Sequence, residues 1–171
     1  MQISEVQKTL TVAQLLGISD GAAGTKETLK IMRRLVRDGK KSVIVRNAAL
    51  SLLHDVLQKD YLTEIKRAHN FVQNEIRYVR DINGVETLQT PEKTLEIKQG
   101  DCDDKSTLVA AMLESIGHPT RFVAAGHGGG EFEHVWVETK YGQQWIAVEC
   151  TEPVPLGWKA PGMSEFLIIN N

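Results

Sequence analysis

At Gly117-His118-Pro119 the chain changes its hydrophobic period. Ahead of that point apolar residues recur at helical spacing. Leu29, Met32 and Val36 form one stripe, and Val45, Ala48, Ala49, Leu52, Leu53 and Val56 a second. Ile65, Ala68, Val72, Ile76 and Val79 form a third. These spacings predict helices beginning at Thr25, around Val45 and over Tyr61 to Val79, with Asp38-Gly39 ending the first. A fourth helix opens at Gly100-Asp101 and carries Leu108, Val109, Met112, Leu113 and Ile116. Gly117 stops it, and Pro119 prevents a restart. Beyond that, Arg121 to Ala125, Glu133 to Thr139 and Gln144 to Glu149 read as strands, with Phe166 to Ile169 as a fourth. Lys140-Tyr141-Gly142-Gln143 is the turn of a hairpin. Helices first and an antiparallel sheet afterwards define an α+β fold.

A length of 171 residues predicts one domain. Residues 1–24 read as an N-terminal arm, with Gly17, Asp20, Gly21 and Gly24 as breakers and a short helix fitting Gln7 to Leu16. Residues 25–171 form the single domain, interrupted by a polar loop from Asp81 to Pro91 around Asn83-Gly84. The 42% hydrophobic share supports a core and excludes a disordered chain. Twenty Lys and Arg against 22 Asp and Glu leave a net charge of −2, so no basic excess points to nucleic acid. The cluster from Arg33 to Lys41 is read as a solvated helix end. No apolar run approaches the roughly 20 residues that span a bilayer. Met1 to Leu10 carries Glu5 and lacks a basic-then-apolar export pattern, so a cytoplasmic location is expected. Two cysteines make no disulfide framework, although one bridge between them stays open.

Cys102 sits where the fourth helix begins, a position whose unpaired N–H groups and dipole favour a thiolate. Asp101 caps that helix. Asp101, Asp103 and Asp104 together raise the thiol pKa, so activation requires a cationic partner. His134, at the start of a strand, fits that role: it takes the thiol proton and later returns it to a leaving amine. Glu138 lies ~13 Å along the same strand, out of reach, and Glu133 faces the other way. The hairpin returns Glu149 to the level of His134, so Glu149 can orient the imidazole, with Glu152 as the alternative. The Cys102 backbone N–H is an oxyanion donor. Cys150, next to Glu149, points to the opposite face and is expected to be buried.

These residues carry a resemblance. Gly100-Asp101-Cys102-Asp103-Asp104-Lys105-Ser106 resembles the nucleophile motif of the transglutaminase-like superfamily. His134-Val135-Trp136-Val137 resembles its histidine strand, and Trp145-Ile146-Ala147-Val148-Glu149 its third motif. The likeness covers about Gly21 to Thr151. Tyr78-Val79-Arg80-Asp81 and Gln89-Thr90-Pro91 are similar to a bacterial and bacteriophage branch. The resemblance implies a papain-like core, with a nucleophile-bearing helix and N-terminal helices packed on a C-terminal antiparallel sheet. The third member is usually Asp, and here it is Glu149. Related enzymes place an aromatic donor before the nucleophile helix, which makes Tyr78 an oxyanion candidate, although core packing is the plainer reading of it. Trp136 is a substrate-site candidate on the histidine strand, and sheet packing is the plainer reading of both Trp136 and Trp145.

The expected activity is cysteine-dependent acyl transfer: a peptidase or amidase acting on a peptide or protein through a thioester. Amine transfer by a transglutaminase is the alternative. A non-enzymatic phage assembly or structural protein on the same fold, with a phage-particle partner and a phage-associated location, is another. A thiol sensor is the third. No cofactor and no membrane partner are expected. A metal is not expected either, because Cys102, His127, His134 and Cys150 lack the short spacings of zinc ligands. Gly128-Gly129-Gly130 lacks the strand-then-helix setting of a phosphate loop. His127 beside it is expected to face solvent, with gating of a cleft as its functional alternative.

Overall fold

A computed structural model describes residues 21–80 and 87–171. Among the described residues, five helices precede or interleave with two short strands, and four longer strands follow. The helices are α1 (Gly21–Gly39), α2 (Val43–Ser51), α3 (Tyr61–Glu75), α4 (Pro91–Ile97) and α5 (Cys102–Ser115). The strands are β1 (Arg77–Tyr78), β2 (Gln99–Gly100), β3 (Thr120–Gly126), β4 (His134–Tyr141), β5 (Gln144–Val148) and β6 (Glu165–Asn170). The α+β class expected from the period change is the one observed. The short helix placed over Gln7 to Leu16 lies outside the described residues.

Helix α5 is the axis of the molecule. Every residue from Asp104 to Leu113 is buried. An α-helix buried on all sides has no need of a polar stripe. It packs against α1, α2, α3 and α4 on one side and the sheet on the other. The sheet order is β5-β4-β3-β6, antiparallel throughout. Strand alternation then sorts the side chains. Phe122, Ala124, Val135, Val137 and Val148 face the helices in the main core. Val123, Ala125, Trp136 and Ala147 face away and form a second, smaller cluster, closed by Met163. The segment 150–164 covers this outer face. It is tied to β5 by the Gly157 N–H donating to Ala147 O at 2.8 Å. Glu138 is buried on the same face, bonded to Arg121 Nε at 2.8 Å and Lys159 Nζ at 2.7 Å. Arg121 in turn lies 4.3 Å from the Trp145 ring, so Trp145 packs on the sheet as expected.

Several boundaries differ from expectation. Helix α1 begins at Gly21, so Gly21 and Gly24 belong to it rather than to the breakers before it. Helix α2 stops at Ser51, and Leu52 and Leu53 follow in a turn. Helix α3 ends at Glu75, because the chain extends at Ile76 and Arg77–Tyr78 pairs in parallel with Gln99–Gly100. Helix α4 begins at Pro91, the last residue of the loop read from Asp81, and was not itself foreseen, while residues 81–86 of that loop lie outside the described residues. Thr90 caps it by accepting from Lys93 N at 3.2 Å, and Pro91 fills the first helical position, where a missing N–H costs nothing. The basic end of α1 is solvent-facing at Arg33, Arg34 and Arg37, while Lys40 pairs with Glu114 at 2.8 Å.

Candidate active site

The N-terminus of α5 is built by carboxylates. Asp101 Oδ1 accepts from Asp103 N at 3.0 Å and Asp104 N at 3.1 Å. Asp104 closes the reciprocal box from Asp101 N at 3.4 Å. The same carboxylate latches the loop ahead of α4, accepting from Gln89 N and Gln89 Nε2, both at 2.8 Å. Gly100 leaves room for this arrangement, since a Cβ there would lie 2.5 Å from Asp104 Cβ. Cys102 is the first helical residue, and its N–H has no partner among the described residues.

The start of β4 is fastened to this helix end. Val135 O accepts from Ser106 Oγ at 3.2 Å, and the Val135 backbone favours the Cys102 thiolate. His134 is the adjoining residue. Its Nε2 bonds Glu149 Oε2 at 2.6 Å, with the imidazole slightly exposed and the carboxylate 2% exposed. Glu149 Oε1 accepts from Thr151 N at 2.7 Å and Thr151 Oγ1 at 2.5 Å. Burial alone would raise the Glu149 carboxyl, but the bonds from His134 and Thr151 outweigh it and hold the group below its usual range. A carboxylate bonded at Nε2 fixes the proton there, leaving Nδ1 with its lone pair and with no hydrogen bond among the described residues.

The register corrects one expectation. Val137 faces Val148, so Glu149 falls opposite Trp136, not level with His134. The carboxylate crosses a diagonal to reach the imidazole, and the extra methylene of Glu spans it. Glu152 is exposed and does not meet His134; its carbonyl is held instead by Gln73 Nε2 at 2.6 Å.

Cys102 is a thiol here. Burial pushes it well above the ordinary range, and Asp103 and Asp101 push in the same direction, against the Val135 backbone. Its Sγ donates to Asp103 Oδ1 at 3.7 Å, and no hydrogen bond joins it to His134. As the flanking carboxylates lead one to expect, the helix terminus alone does not supply a thiolate, and burial adds to their effect. Tyr78 is not a core residue: it is 42% exposed. The β1–β2 pairing sets it beside Gly100. Burial raises its phenol, with Asp101 acting in the same direction and a bond from Arg80 opposing. Trp136 is 2% exposed, with ring contacts to His134 and Phe166, so it packs the sheet and offers no surface to a substrate. Cys150 is buried in the main core, as expected, and both cysteines are free, which closes the question of a bridge between them. His127 is exposed and bonds Gly162 O at 3.1 Å.

The roles of three supporting residues escape a reading of motifs. His69 Nε2 donates to Glu149 O at 2.6 Å, and Gln73 Nε2 donates to Glu152 O and to Val154 O, the latter at 2.9 Å. The two stand one turn apart on α3 and grip the chain on which Glu149 sits. Their spacing was the available signal. Lys105 is buried and donates to Ile76 O at 2.6 Å at the end of α3, where the helix dipole favours a cation. Beside His134 lies a hollow of about 260 Å³ lined by Glu152, Val154, Trp158, Ala160 and Met163.

The profile of the transglutaminase-like superfamily matches residues 51–150, a span that holds Cys102, His134 and Glu149. A candidate protease from Parabacteroides distasonis shares the fold at a TM-score of 0.59 and 13% identity, covering 76% of this chain and 26% of its own. A candidate cysteine protease from Cytophaga hutchinsonii does so at 0.54 and 13%, covering 96% of this chain and 56% of its own. The chain thus spans about a quarter and just over half of these two proteins. No curated protein matches the sequence. No helix among the described residues is long and apolar enough to cross a membrane.

Proposed function

The chain belongs to the transglutaminase-like superfamily, and from that premise we propose that it is a cysteine-dependent acyl-transfer enzyme working as a peptidase or amidase. The observation that carries the reading is the 2.6 Å bond from His134 Nε2 to Glu149, which leaves Nδ1 as the base, beside the strand residue whose backbone favours the Cys102 thiolate.

The thiol proton moves from Cys102 Sγ to His134 Nδ1 once the sulfur turns from Asp103 toward the ring. The resulting imidazolium offsets the carboxylates that otherwise raise the thiol. Sulfur then bonds the carbonyl carbon, and its oxygen takes the negative charge near the free Cys102 N–H. Collapse breaks the carbon–nitrogen bond as Nδ1 returns its proton to the leaving amine, giving a thioester. Water, deprotonated by the same nitrogen, adds to the thioester and releases the acid and the thiol. Glu149 keeps the ring in one tautomer and balances its charge throughout.

Hydrolysis is favoured over amine transfer because transfer needs a thioester shielded from water, and the hollow beside His134 has the exposed Glu152 at its wall. The test incubates the protein with a mixture of unstructured peptides, with and without a fluorescent primary amine, and reads products by mass. New peptide termini that vanish in Cys102→Ala and fall by about 10²–10⁴-fold in His134→Ala are expected. Products carrying the amine in place of water would select transfer. Termini that persist in Cys102→Ala would remove the reading.

A further inference from the structure

The hollow beside His134 has a wall that includes the imidazole but not the nucleophile. In acyl transfer to a thiol, the leaving nitrogen departs toward the imidazole that protonates it. The substituent borne by that nitrogen is therefore laid beside the imidazole, away from the sulfur. Four of the other wall residues, Val154, Trp158, Ala160 and Met163, are apolar. From these we propose that the hollow is the subsite for an apolar side chain on the leaving-amine half of the substrate: Leu, Met or Phe immediately after the scissile bond. The inference rests on the acyl-transfer reading above.

The wall is built in advance. Gln73 holds the carbonyls of Glu152 and Val154, Gly157 is tied to Ala147, and Met163 packs on the outer cluster of the sheet. A preformed apolar wall recovers the burial of a side chain without the cost of ordering a loop. A volume of about 260 Å³ exceeds what a leucine or phenylalanine side chain fills. The exposed Glu152 is the one carboxylate on this wall, and it disfavours an acidic side chain at that place.

The experiment has two arms. In Cys102→Ala protein, phenylalaninamide, leucinamide, lysinamide and glycinamide are titrated while NMR follows the Trp158 indole and the Met163 methyl. Shifts with the first two, weaker by about 10–100-fold with glycinamide and lost in Ala160→Trp, are expected. Equal response to all four, or none to phenylalaninamide, overturns the subsite. In the second arm, active protein is given a peptide mixture, and enrichment of Leu, Met and Phe at the new N-termini is expected, disappearing in Ala160→Trp. The rate of Cys102 alkylation in Ala160→Trp checks that the nucleophile is otherwise intact. Cleavage without enrichment removes the subsite and leaves the enzyme. Binding of the apolar amides with no Cys102-dependent termini removes the enzyme and leaves a site for apolar amines.

Discussion

Glu149 carries a specific geometric demand. Its backbone falls opposite Trp136, its Oε2 must reach His134, and its Oε1 is already committed to Thr151. Aspartate is one methylene shorter and cannot keep both ends from the same backbone position. Glu149→Asp is therefore expected to lower kcat/KM mainly through kcat, by about 10–100-fold, as a misoriented base does. Glu149→Gln retains the length but loses the charge that balances the imidazolium, and a loss of about 10²–10⁴-fold is expected. Steady-state kinetics of the two variants separate reach from charge. An Asp variant as active as the parent would show that the diagonal does not matter. The residue types of this site are legible in the sequence, because Cys102, His134 and Glu149 each sit in a recognisable local context. Their neighbours' influence is less so. The carboxylates beside Cys102 are read correctly as raising its thiol, but the burial that raises it most comes from packing the sequence does not display.

Among the elements, the end of α5 shows how a short contact sets a site. Asp104 holds the cap of its own helix and the Gln89 latch at once. A methyl group at Gly100 would meet Asp104 Cβ at 2.5 Å and its Oδ2 at 2.9 Å. Gly100→Ala is thus expected to displace Asp104, cost about 1–3 kcal/mol and slow Cys102 alkylation. Gln89→Ala removes one side-chain bond and is expected to cost about 1 kcal/mol. Denaturant melts beside alkylation rates test both, and an unshifted Gly100→Ala midpoint would mean that the latch carries no strain. The long helices and the four-stranded sheet were readable because their stripes persist over several turns or alternations. Helix α4 and strands β1 and β2 were not, since seven or two residues hold too little period to register. The outer cover of the sheet has no repeating pattern at all. It follows from where Gly157 and Met163 land after β5.

For the molecule as a whole, the buried titratable groups predict how stability varies with pH. Burial lowers the His69 pKa, so the unfolded chain binds that proton first as pH falls through about 6.5, and stability is lost below that point. Glu149 is also held low, so its contribution, present above the usual carboxylate range, is lost as pH falls through its folded pKa. Burial raises both thiols, Cys102 and Cys150, so the unfolded chain releases their protons first, and stability is lost above about 8.5. Lys105, lowered by burial, favours the folded state as pH rises and opposes the thiols at the alkaline end. Differences between variants therefore read more cleanly than the parent curve. His69→Gln can still donate to Glu149 O but does not titrate. Its Tm is expected to decline less than the parent's as pH falls from 7 to about 5. Cys102→Ala with Cys150→Ala is expected to decline less than the parent between about pH 8 and 10. Thermal melts across that range decide it. A His69→Gln curve parallel to the parent's on the acid side would mean that the grip of α3 on the chain at Glu149 is indifferent to the charge of its histidine.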